Sequence, residues 1–460
     1  MNLTTRNRKR KIFISQRSSW KTYQATTNRN SVKKIFRKIS IYTGLLSFFL
    51  VLVYLITGEI PGLTYFQDRK AGRAIHEDKT ESGNRILNQL HENDVQALIA
   101  GKSIVNRTEK NFHFVSNGHT LIANTALDIS LQKYLAEKLD RVNSRHIGIV
   151  VMDPSTGKVL SMIGFDKSDP SNNPSTDSQF LAASTFKIVT ASAAIEKCGF
   201  NSKTILTYNG NKYTLYKSQL KNRKNRYTNK ITFRDSFAQS VNPVFGKIGA
   251  HCLGKIDLQK YAEAFGFNRN IPFEIPLAPS FISLSDDPYQ WAEIASGFNR
   301  ETTLSPIHGA LIISVILNQG LLIEPTVIEM ITDEKGQAIY QSHLVTLNRA
   351  ITPKTSKIVY ELMQATIKYG TAKKAFRGRR TDKILSKLNI GGKTGSIYNK
   401  AHDSLYDWFV GFAERKDASN KIVVSVLVAH DRYIGKRASF YARLAMKRYF
   451  QNDFIEHKKS

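Results

Sequence analysis

A serine and a lysine three residues apart, Ser184 and Lys187, are the side chains of this chain best placed to do chemistry. They open an apolar stretch, residues 183–199, whose helix-forming residues predict one helix that ends at Gly199, a residue suited to a left-handed C-terminal cap. Residues three apart lie on one helix face, so the two side chains are neighbours. A desolvated lysine, or one beside another cation, keeps a neutral amine that can take the proton of a serine hydroxyl. The pair therefore predicts a serine nucleophile with a lysine base.

The Ser-x-x-Lys spacing alone is weak, because the chain is rich in lysine. Other copies begin at Ser18, Ser31, Ser130, Ser155 and Ser218. None of these copies lies in so apolar a stretch, so none of them is predicted to be the nucleophile and its base.

Two further motifs follow in chain order and strengthen the prediction. Ser240-Val241-Asn242 lies at a break between two helices predicted over residues 233–250, where a serine and an asparagine can project into a cleft. Lys393-Thr394-Gly395-Ser396 lies on a predicted strand, and glycine in a strand lets a ligand approach the backbone closely. This kind of motif set is found in penicillin-binding proteins and class A β-lactamases, although the middle motif here is Ser-Val-Asn and not Ser-Asp-Asn.

The chain resembles the penicillin-binding transpeptidase family over roughly residues 120–450. The stretches TALDISLQ, VVMDPSTGKVLSMIG and SGFNRETTLSPIHGALIISVI are similar to the family's, as are the final strand meander and closing helix. Ala182-Ala183 replaces the usual Pro-Gly before the nucleophile, and Ser305-Pro306 replaces Thr-Pro. The resemblance implies an α+β fold, in which helices sandwich an antiparallel sheet as in penicillin-binding proteins and serine β-lactamases. We assign residues 120–455 to this transpeptidase domain.

The resemblance also implies roles for the motif residues. Ser184 would attack the carbonyl between the two terminal D-alanines of a peptidoglycan stem peptide, and a β-lactam would acylate the same serine. Lys187 would be the acylation base, Ser240 would relay the proton, and Lys393 would supply positive charge for the substrate carboxylate. The N–H groups of Ser184 and Ser396 would form the oxyanion hole. The expected substrate-binding residues are Asn242, Thr394, Gly395 and Ser396. No cofactor is expected.

The N-terminal region predicts a membrane anchor. Residues 1–38 hold 12 lysine and arginine residues and no acidic residue, within a chain of net charge +30. Residues 39–58 carry no charge, and as a helix they would span roughly 30 Å, the thickness of a bilayer's hydrocarbon core. Basic residues on the N-terminal side place that end in the cytoplasm. We therefore expect a basic cytoplasmic tail, a transmembrane helix, and then a small stalk or pedestal over residues 59–119, with the catalytic domain in the periplasm or otherwise outside the membrane.

Residues 39–58 have two alternative interpretations, a cleaved signal peptide and a buried soluble helix. A signal peptide has a shorter apolar run and small residues at a cleavage site, whereas a soluble helix of this length usually carries a polar stripe. The basic tail could also suggest nucleic acid. Beside an apolar span the orientation signal explains the charge, and no nucleic-acid partner is expected.

The cysteines and histidines predict little chemistry. Cys198 and Cys252 are the two cysteines of the chain, and two cysteines in an exported domain often pair. A Cys198–Cys252 disulfide is therefore possible, with two free thiols as the alternative. The histidines lack the spacing of metal ligands, so no metal site is predicted. Residues 208–230 are strongly basic and predict an exposed loop or hairpin beside the cleft, and residues 373–387, also strongly basic, predict another exposed excursion.

Three functions stay open at this point. The first is a membrane-anchored, monofunctional D-Ala-D-Ala transpeptidase or carboxypeptidase, for which a separate membrane glycan polymerase would be a partner because residues 59–119 are too short for a glycosyltransferase domain. The second is a class D-like serine β-lactamase; such enzymes carry Ser-Thr-Phe-Lys but usually have Ser-x-Val where Asn242 stands. The third is a non-enzymatic β-lactam sensor, which would use the acylation site only as a receptor.

Overall fold

The computed structural model of the chain describes residues 92–417 and 419–456. Within these residues, all paired strands run antiparallel to their neighbours. Apolar residues at every second position give most of them one or two buried faces. The strands are β1 (Asn111–Ser116), β2 (His119–Thr125), β3 (Ser144–Met152), β4 (Val159–Asp166), β5 (Ile205–Tyr208), β6 (Asn229–Thr232), β7 (Leu321–Ile323), β8 (Ile328–Asp333), β9 (Ala338–Gln341), β10 (Thr346–Arg349), β11 (Leu388–Asn399), β12 (Ser404–Arg415) and β13 (Lys421–His430).

Several of the helices begin at proline in the first turn, where the missing N–H costs no hydrogen bond. The helices are α1 (Glu92–Leu98), α2 (Ile129–Glu137), α3 (Lys187–Cys198), α4 (Lys217–Leu220), α5 (Phe233–Ala238), α6 (Asn242–Ile248), α7 (Gly254–Ala264), α8 (Pro288–Ser296), α9 (Pro306–Leu317), α10 (Pro353–Lys368) and α11 (Ala438–Glu456).

A five-stranded sheet in the order β11-β12-β13-β3-β4 separates two hydrophobic cores. Successive side chains of β3 alternate between them: Val150 and Met152 enter one core, and Ile149 and Val151 enter the other. Helices α9 and α10 pack on the sheet together with the first core, and α2 and α11 pack with the second. The predicted α+β arrangement, with helices on both faces of an antiparallel sheet, is confirmed.

The helix that carries the nucleophile is built in two pieces. A 3₁₀ turn, Ala183–Phe186, precedes α3, and Gly199 closes α3 in the left-handed conformation with φ 66°. The predicted extent and C-terminal cap are therefore confirmed, while the first turn is tighter than an α-helix. The tighter turn follows a positive φ of 51° at Ala183.

A second, four-stranded sheet has the order β1-β2-β8-β9. In it Leu121 pairs with Asp333, which joins residues far apart in sequence. The β1–β2 hairpin spans the boundary predicted between residues 119 and 120, so the chain before residue 120 shares a sheet with residues 328–341.

The predicted basic tail (residues 1–38) and membrane span (residues 39–58) lie outside the described residues, as does the first part of the predicted stalk. Over residues 92–456, leaving out residue 418, we find no helix with both the length and the apolarity that crossing a bilayer requires.

Candidate active site

Ser184 lies at the front of the buried helix α3. Its side chain is half-buried, while Lys187 and the next eight residues are buried. The positive φ of Ala183 turns the chain sharply just before the serine. The hydroxyl therefore faces a partly open site, and the lysine behind it is removed from water.

The amine of Lys187 has three oxygen partners and no acidic one among the described residues. Its Nζ lies 2.9 Å from Ser184 Oγ and 2.8 Å from Asn242 Oδ1, and it also donates to the carbonyl oxygen of Ser296. Burial, and next to it the charge of Lys393, hold the pKa of Lys187 well below the usual lysine value. Its surroundings therefore favour the neutral form of the amine over the charged form.

Neutral Lys187 fits this set of contacts as a base. A neutral amine keeps two N–H groups and one lone pair. The two N–H groups donate to the side-chain oxygen of Asn242 and the carbonyl oxygen of Ser296, which can only accept hydrogen bonds. The lone pair then faces Ser184 Oγ at 2.9 Å, and the serine hydroxyl becomes the donor. This arrangement can remove the serine proton.

A second serine–lysine pair lies beside the first. Lys393 Nζ donates to Ser240 Oγ at 3.0 Å and to the carbonyl oxygen of Thr394 at 2.8 Å. Ser240 has a positive φ of 56° at the break between α5 and α6, the position predicted for this motif. Burial lowers the pKa of Lys393 to about 7, so both lysines carry less charge than exposed lysines do.

Asn242 is held at both ends of its side-chain amide. Its Oδ1 accepts from Lys187, and its Nδ2 donates to the carbonyl oxygen of Tyr213 at 3.1 Å. Its backbone N–H donates to the carbonyl oxygen of Lys212 at 2.8 Å. Lys212 and Tyr213 belong to the basic segment that was predicted as an exposed loop or hairpin beside the cleft. The hydrogen bonds from Asn242 to their carbonyl oxygens were not predicted.

The Lys-Thr-Gly-Ser motif runs along β11, which is an edge strand of the main sheet. A β-carbon at Gly395 would lie 3.2 Å from Ala183 Cβ and 3.3 Å from Thr185 Cγ2, closer than most side chains approach. Glycine therefore lets β11 lie directly against the nucleophile turn. The structure thus brings all eight predicted site residues together: Ser184, Lys187, Ser240, Asn242, Lys393, Thr394, Gly395 and Ser396.

Asp407 supports this strand from β12, where it pairs with Ser396. Its Oδ1 accepts from Ser396 Oγ at 3.1 Å, and its Oδ2 accepts from the backbone N–H of Ala438 at 3.0 Å, at the start of α11. Asp407 was not predicted as a site residue. The signal that was available is an acidic residue next to Trp408 in the otherwise uncharged run of residues 404–413.

Thr371 and Gly297 are two further site neighbours that sequence reasoning missed. Thr371 Oγ1 lies 2.6 Å from Thr394 Oγ1. Gly297 has a φ of 63°, and a β-carbon there would overlap the carbonyl oxygen of Ala183. Only glycine therefore brings the preceding carbonyl of Ser296 against Lys187.

Cys198 and Cys252 form a disulfide in the structure, with their Cα atoms 6.4 Å apart. The bond joins the last residue of α3 to the π turn Gly249–Leu253, which follows α6. Both ends lie outside the hydrogen-bonded site described above. Among the described residues, no group of three or more His, Cys, Asp or Glu residues could hold a metal ion.

A half-buried serine in contact with a buried lysine, beside the edge of a helix-covered antiparallel sheet, is an arrangement for serine acyl transfer. The sequence profile of the penicillin binding protein transpeptidase domain matches residues 147–447. The chain therefore belongs to the penicillin-binding protein transpeptidase family, a family of serine acyltransferase-type enzymes.

Curated relatives match a large part of the chain. Stage V sporulation protein D of Bacillus subtilis is 25% identical over 323 residues, which cover 65% of this chain and 48% of that protein. Penicillin-binding protein 1A of Neisseria lactamica is 29% identical over 299 residues, which cover 62% of this chain and 32% of that protein. The chain thus matches less than half the length of either relative.

Solved structures share the fold. The D,D-transpeptidase domain of a peptidoglycan glycosyltransferase from Eggerthella lenta has a TM-score of 0.58 and 22% identity, covering 72% of this chain and 83% of that one. Penicillin-binding protein A of Mycobacterium tuberculosis, in an imipenem acyl-enzyme complex, has a TM-score of 0.58 and 20% identity, covering 71% of this chain and 79% of that one.

Proposed function

We propose that this chain is a membrane-anchored D,D-transpeptidase that forms an acyl-enzyme at Ser184 and cross-links peptidoglycan stem peptides ending in D-Ala-D-Ala. β-Lactams would inhibit it by acylating the same serine. The observation that carries the proposal is the contact of Lys187 with both Ser184 and Asn242, at 2.9 Å and 2.8 Å, because it joins two distant motifs around one buried amine.

In the acylation step, Lys187 takes the proton of Ser184 while Oγ attacks the carbonyl carbon of the penultimate D-alanine. The N–H groups of Ser184 and Ser396 stabilise the oxyanion of the tetrahedral intermediate, and one such donor is typically worth about 3–4 kcal/mol. As the intermediate collapses, the C–N bond breaks and the proton passes to the leaving amine of the terminal D-alanine, with Ser240 as the relay. An acyl ester on Ser184 results.

In the second step an acceptor amine attacks the ester carbonyl. Lys187 removes a proton from the attacking amine while a new amide bond forms. The C–O bond to Ser184 then breaks, and the serine oxygen takes up the proton from Lys187. Water in place of the amine would give carboxypeptidase activity. Both steps use the same base in the same position.

The carboxylate of the terminal D-alanine would bind at β11. Thr394 is half-buried and Ser396 is exposed, so their hydroxyls are within reach of a ligand. Lys393 is fully buried and bonded to Ser240, so its charge would act on the carboxylate across the hydroxyl of Ser240. Asn242 would exchange one of its present partners for the substrate amide.

Residues 39–58 would anchor the protein in the cytoplasmic membrane as a single span, with the N-terminus in the cytoplasm and the catalytic domain outside. The uncharged run and the basic flank of residues 1–38 support this placement. A separate membrane glycan polymerase would supply the glycan strands. A pull-down from detergent extract that never recovers a polymerase would count against that partner.

Two measurements test the proposed function. Labelled penicillin should form a long-lived adduct with the full chain, which Ser184→Ala abolishes and Ser155→Ala, in an exposed copy of the same spacing, leaves intact. Incubation with stem pentapeptide, with and without a D-amino-acid acceptor, should release D-alanine and yield the exchanged peptide by mass. Rapid penicillin turnover would instead indicate a β-lactamase, and a stable adduct without any peptide product would indicate a sensor.

A further inference from the structure

The segment after α10 surrounds a cavity of about 670 Å³ with basic side chains. The lining contains six lysine and arginine residues and no acidic residue. We call this cavity the basic groove; its cations are Lys368, Lys373, Lys374, Arg377, Arg379 and Arg380. The acyl-transfer mechanism uses none of them.

The backbone of the basic groove is anchored. Ala372 and Phe376 are buried, and the ring of Phe376 lies 5.6 Å from that of Phe409 on β12. The carbonyl oxygen of Ala375 accepts from Arg443 on α11 at 3.0 Å. The segment is therefore packed on the main sheet, and its cations are displayed from a defined frame.

The charge of the basic groove is not compensated within the described part of the chain. Asp382 is the one acidic residue in residues 368–387, and it is already paired with Lys447 at 2.8 Å. None of the six cations forms an ion pair with a described acidic residue. Burial and the neighbouring charge of Arg380 lower the pKa of Arg379. An anion in the groove would relieve this repulsion.

The basic groove adjoins the part of β11 that carries the Lys-Thr-Gly-Ser motif. A second cavity, of about 840 Å³, shares Thr371 and Lys374 with it and is also lined by Thr394 and Ser396 of β11. The contact between Thr371 and Thr394, at 2.6 Å, lies between the two cavities. An extended ligand could therefore occupy the groove and reach the hydroxyls of Thr394 and Ser396 at once.

We propose that the basic groove binds an acidic wall strand, a polymer bearing carboxylates at intervals, beside the stem peptide that reaches Ser184. The proposal rests on the proposed function in taking peptidoglycan as the substrate. The groove is concave and leads to Ser396, which favours a strand over a flat membrane surface. Binding through several weak contacts would raise the local concentration of stem peptides at the cleft.

The test is binding of soluble peptidoglycan fragments with several stem peptides to full-length protein in neutral detergent. Ser184→Ala protein is used so that no turnover occurs and the measurement does not depend on acylation. In this background, K373Q/R377Q/R380Q should weaken binding about tenfold at low salt. A matched variant, K335Q/K354Q/K357Q, removes the same charge at exposed positions outside the groove and should change binding less than about twofold. In the wild-type Ser184 background, all variants should keep the penicillin acylation rate.

The possible outcomes distinguish polymer binding in the basic groove from attraction by net charge and from binding to a membrane. Weaker binding of the multi-stem fragment, with little change for a single stem peptide, supports the proposal. Equal losses in the two triple variants would mean that net charge alone attracts the polymer, and would overturn it. Unchanged polymer binding, with loss of binding to anionic but not neutral lipid vesicles in the groove variant, would assign the groove to a membrane. If penicillin does not label the protein but the groove substitutions still weaken polymer binding, the proposed function is wrong and the proposed role of the basic groove stands.

Discussion

The side-chain oxygen of Asn242 lies 2.8 Å from the amine of Lys187. Because Asn242 is neutral, it accepts a hydrogen bond from the lysine without stabilising its positive charge as a carboxylate would. The asparagine therefore orients the base and leaves its pKa low. The first prediction follows from that distinction.

Asn242→Asp should slow acylation of Ser184 by about 100-fold at pH 7. The new carboxylate would lie against Lys187 and raise its pKa, so the base would be protonated. Penicillin acylation rates measured as a function of pH should recover in part at alkaline pH. Asn242→Ala is the control, since it removes the contact without adding charge; a loss in Asn242→Asp that no increase in pH reverses would contradict this account.

The pH dependence of kcat/KM for a peptide substrate should be bell-shaped. The rate rises as pH increases through the lowered pKa of Lys187, because the neutral amine is the base. It falls as pH increases through about 7, where Lys393 loses the charge that attracts the substrate carboxylate. A peptide amidated at its C-terminus has no carboxylate and should lose the alkaline limb. An identical alkaline limb for both peptides would show that Lys393 acts otherwise.

Asp407→Asn should lower kcat/KM about tenfold and the free energy of unfolding by about 1 kcal/mol. The carboxylate accepts from both Ser396 and the first residue of α11, and an amide can replace one of these acceptors only. Comparison with Ser396→Ala and the double variant separates the two effects. If Asp407 acts through Ser396, the kinetic losses are not additive, whereas additive losses would mean an independent role.

Ala183→Gly should stabilise the protein by up to about 1 kcal/mol, because glycine adopts the positive φ of this position without strain but gives the unfolded chain more freedom. Ala191→Gly, the same change inside α3, should destabilise by about 1 kcal/mol. Thermal unfolding of both variants checks the opposite signs. A loss of stability in both would mean that contact with β11 outweighs the backbone strain.

Removing the disulfide with Cys198→Ser/Cys252→Ser should lower the free energy of unfolding by roughly 2–4 kcal/mol, since the bond closes a long loop in the unfolded chain. The sequence separation of the two cysteines is 54. Denaturant unfolding under oxidising conditions measures the loss. Penicillin acylation under native conditions should be unchanged, because the bond lies outside the hydrogen-bonded site; a slower reaction would show that it positions α3.

The eight motif residues were predictable because their chemistry depends on side-chain type and spacing. The C-terminal cap at Gly199 and the break at Ser240 were predictable for the same reason, since local backbone preferences specify them. Three of the residues that sequence reasoning missed act through the backbone instead. Lys212, Tyr213 and Ser296 contribute carbonyl oxygens, and every residue type has one, so no pattern indicates them.

Long-range pairing was also hidden from the sequence. The hairpin of β1 and β2 joins β8 through pairs such as Leu121 with Asp333. Nothing in the sequence of either segment indicates which strand it pairs with. The tight first turn at Ser184 was missed because the sequence has Ala183 where a glycine was expected. The structure keeps the left-handed backbone there with an alanine.

The main-chain hold on Asn242 has an evolutionary consequence. The carbonyl oxygens of Lys212 and Tyr213 accept hydrogen bonds from the asparagine, while Tyr213 also lines the cavity of about 840 Å³ beside Thr394 and Ser396. A substitution at Tyr213 would alter what an incoming ligand meets and leave the acceptor for Asn242 in place. The ligand selectivity of the site can therefore change by point mutation at position 213, while the hydrogen bonds that hold Asn242 are retained.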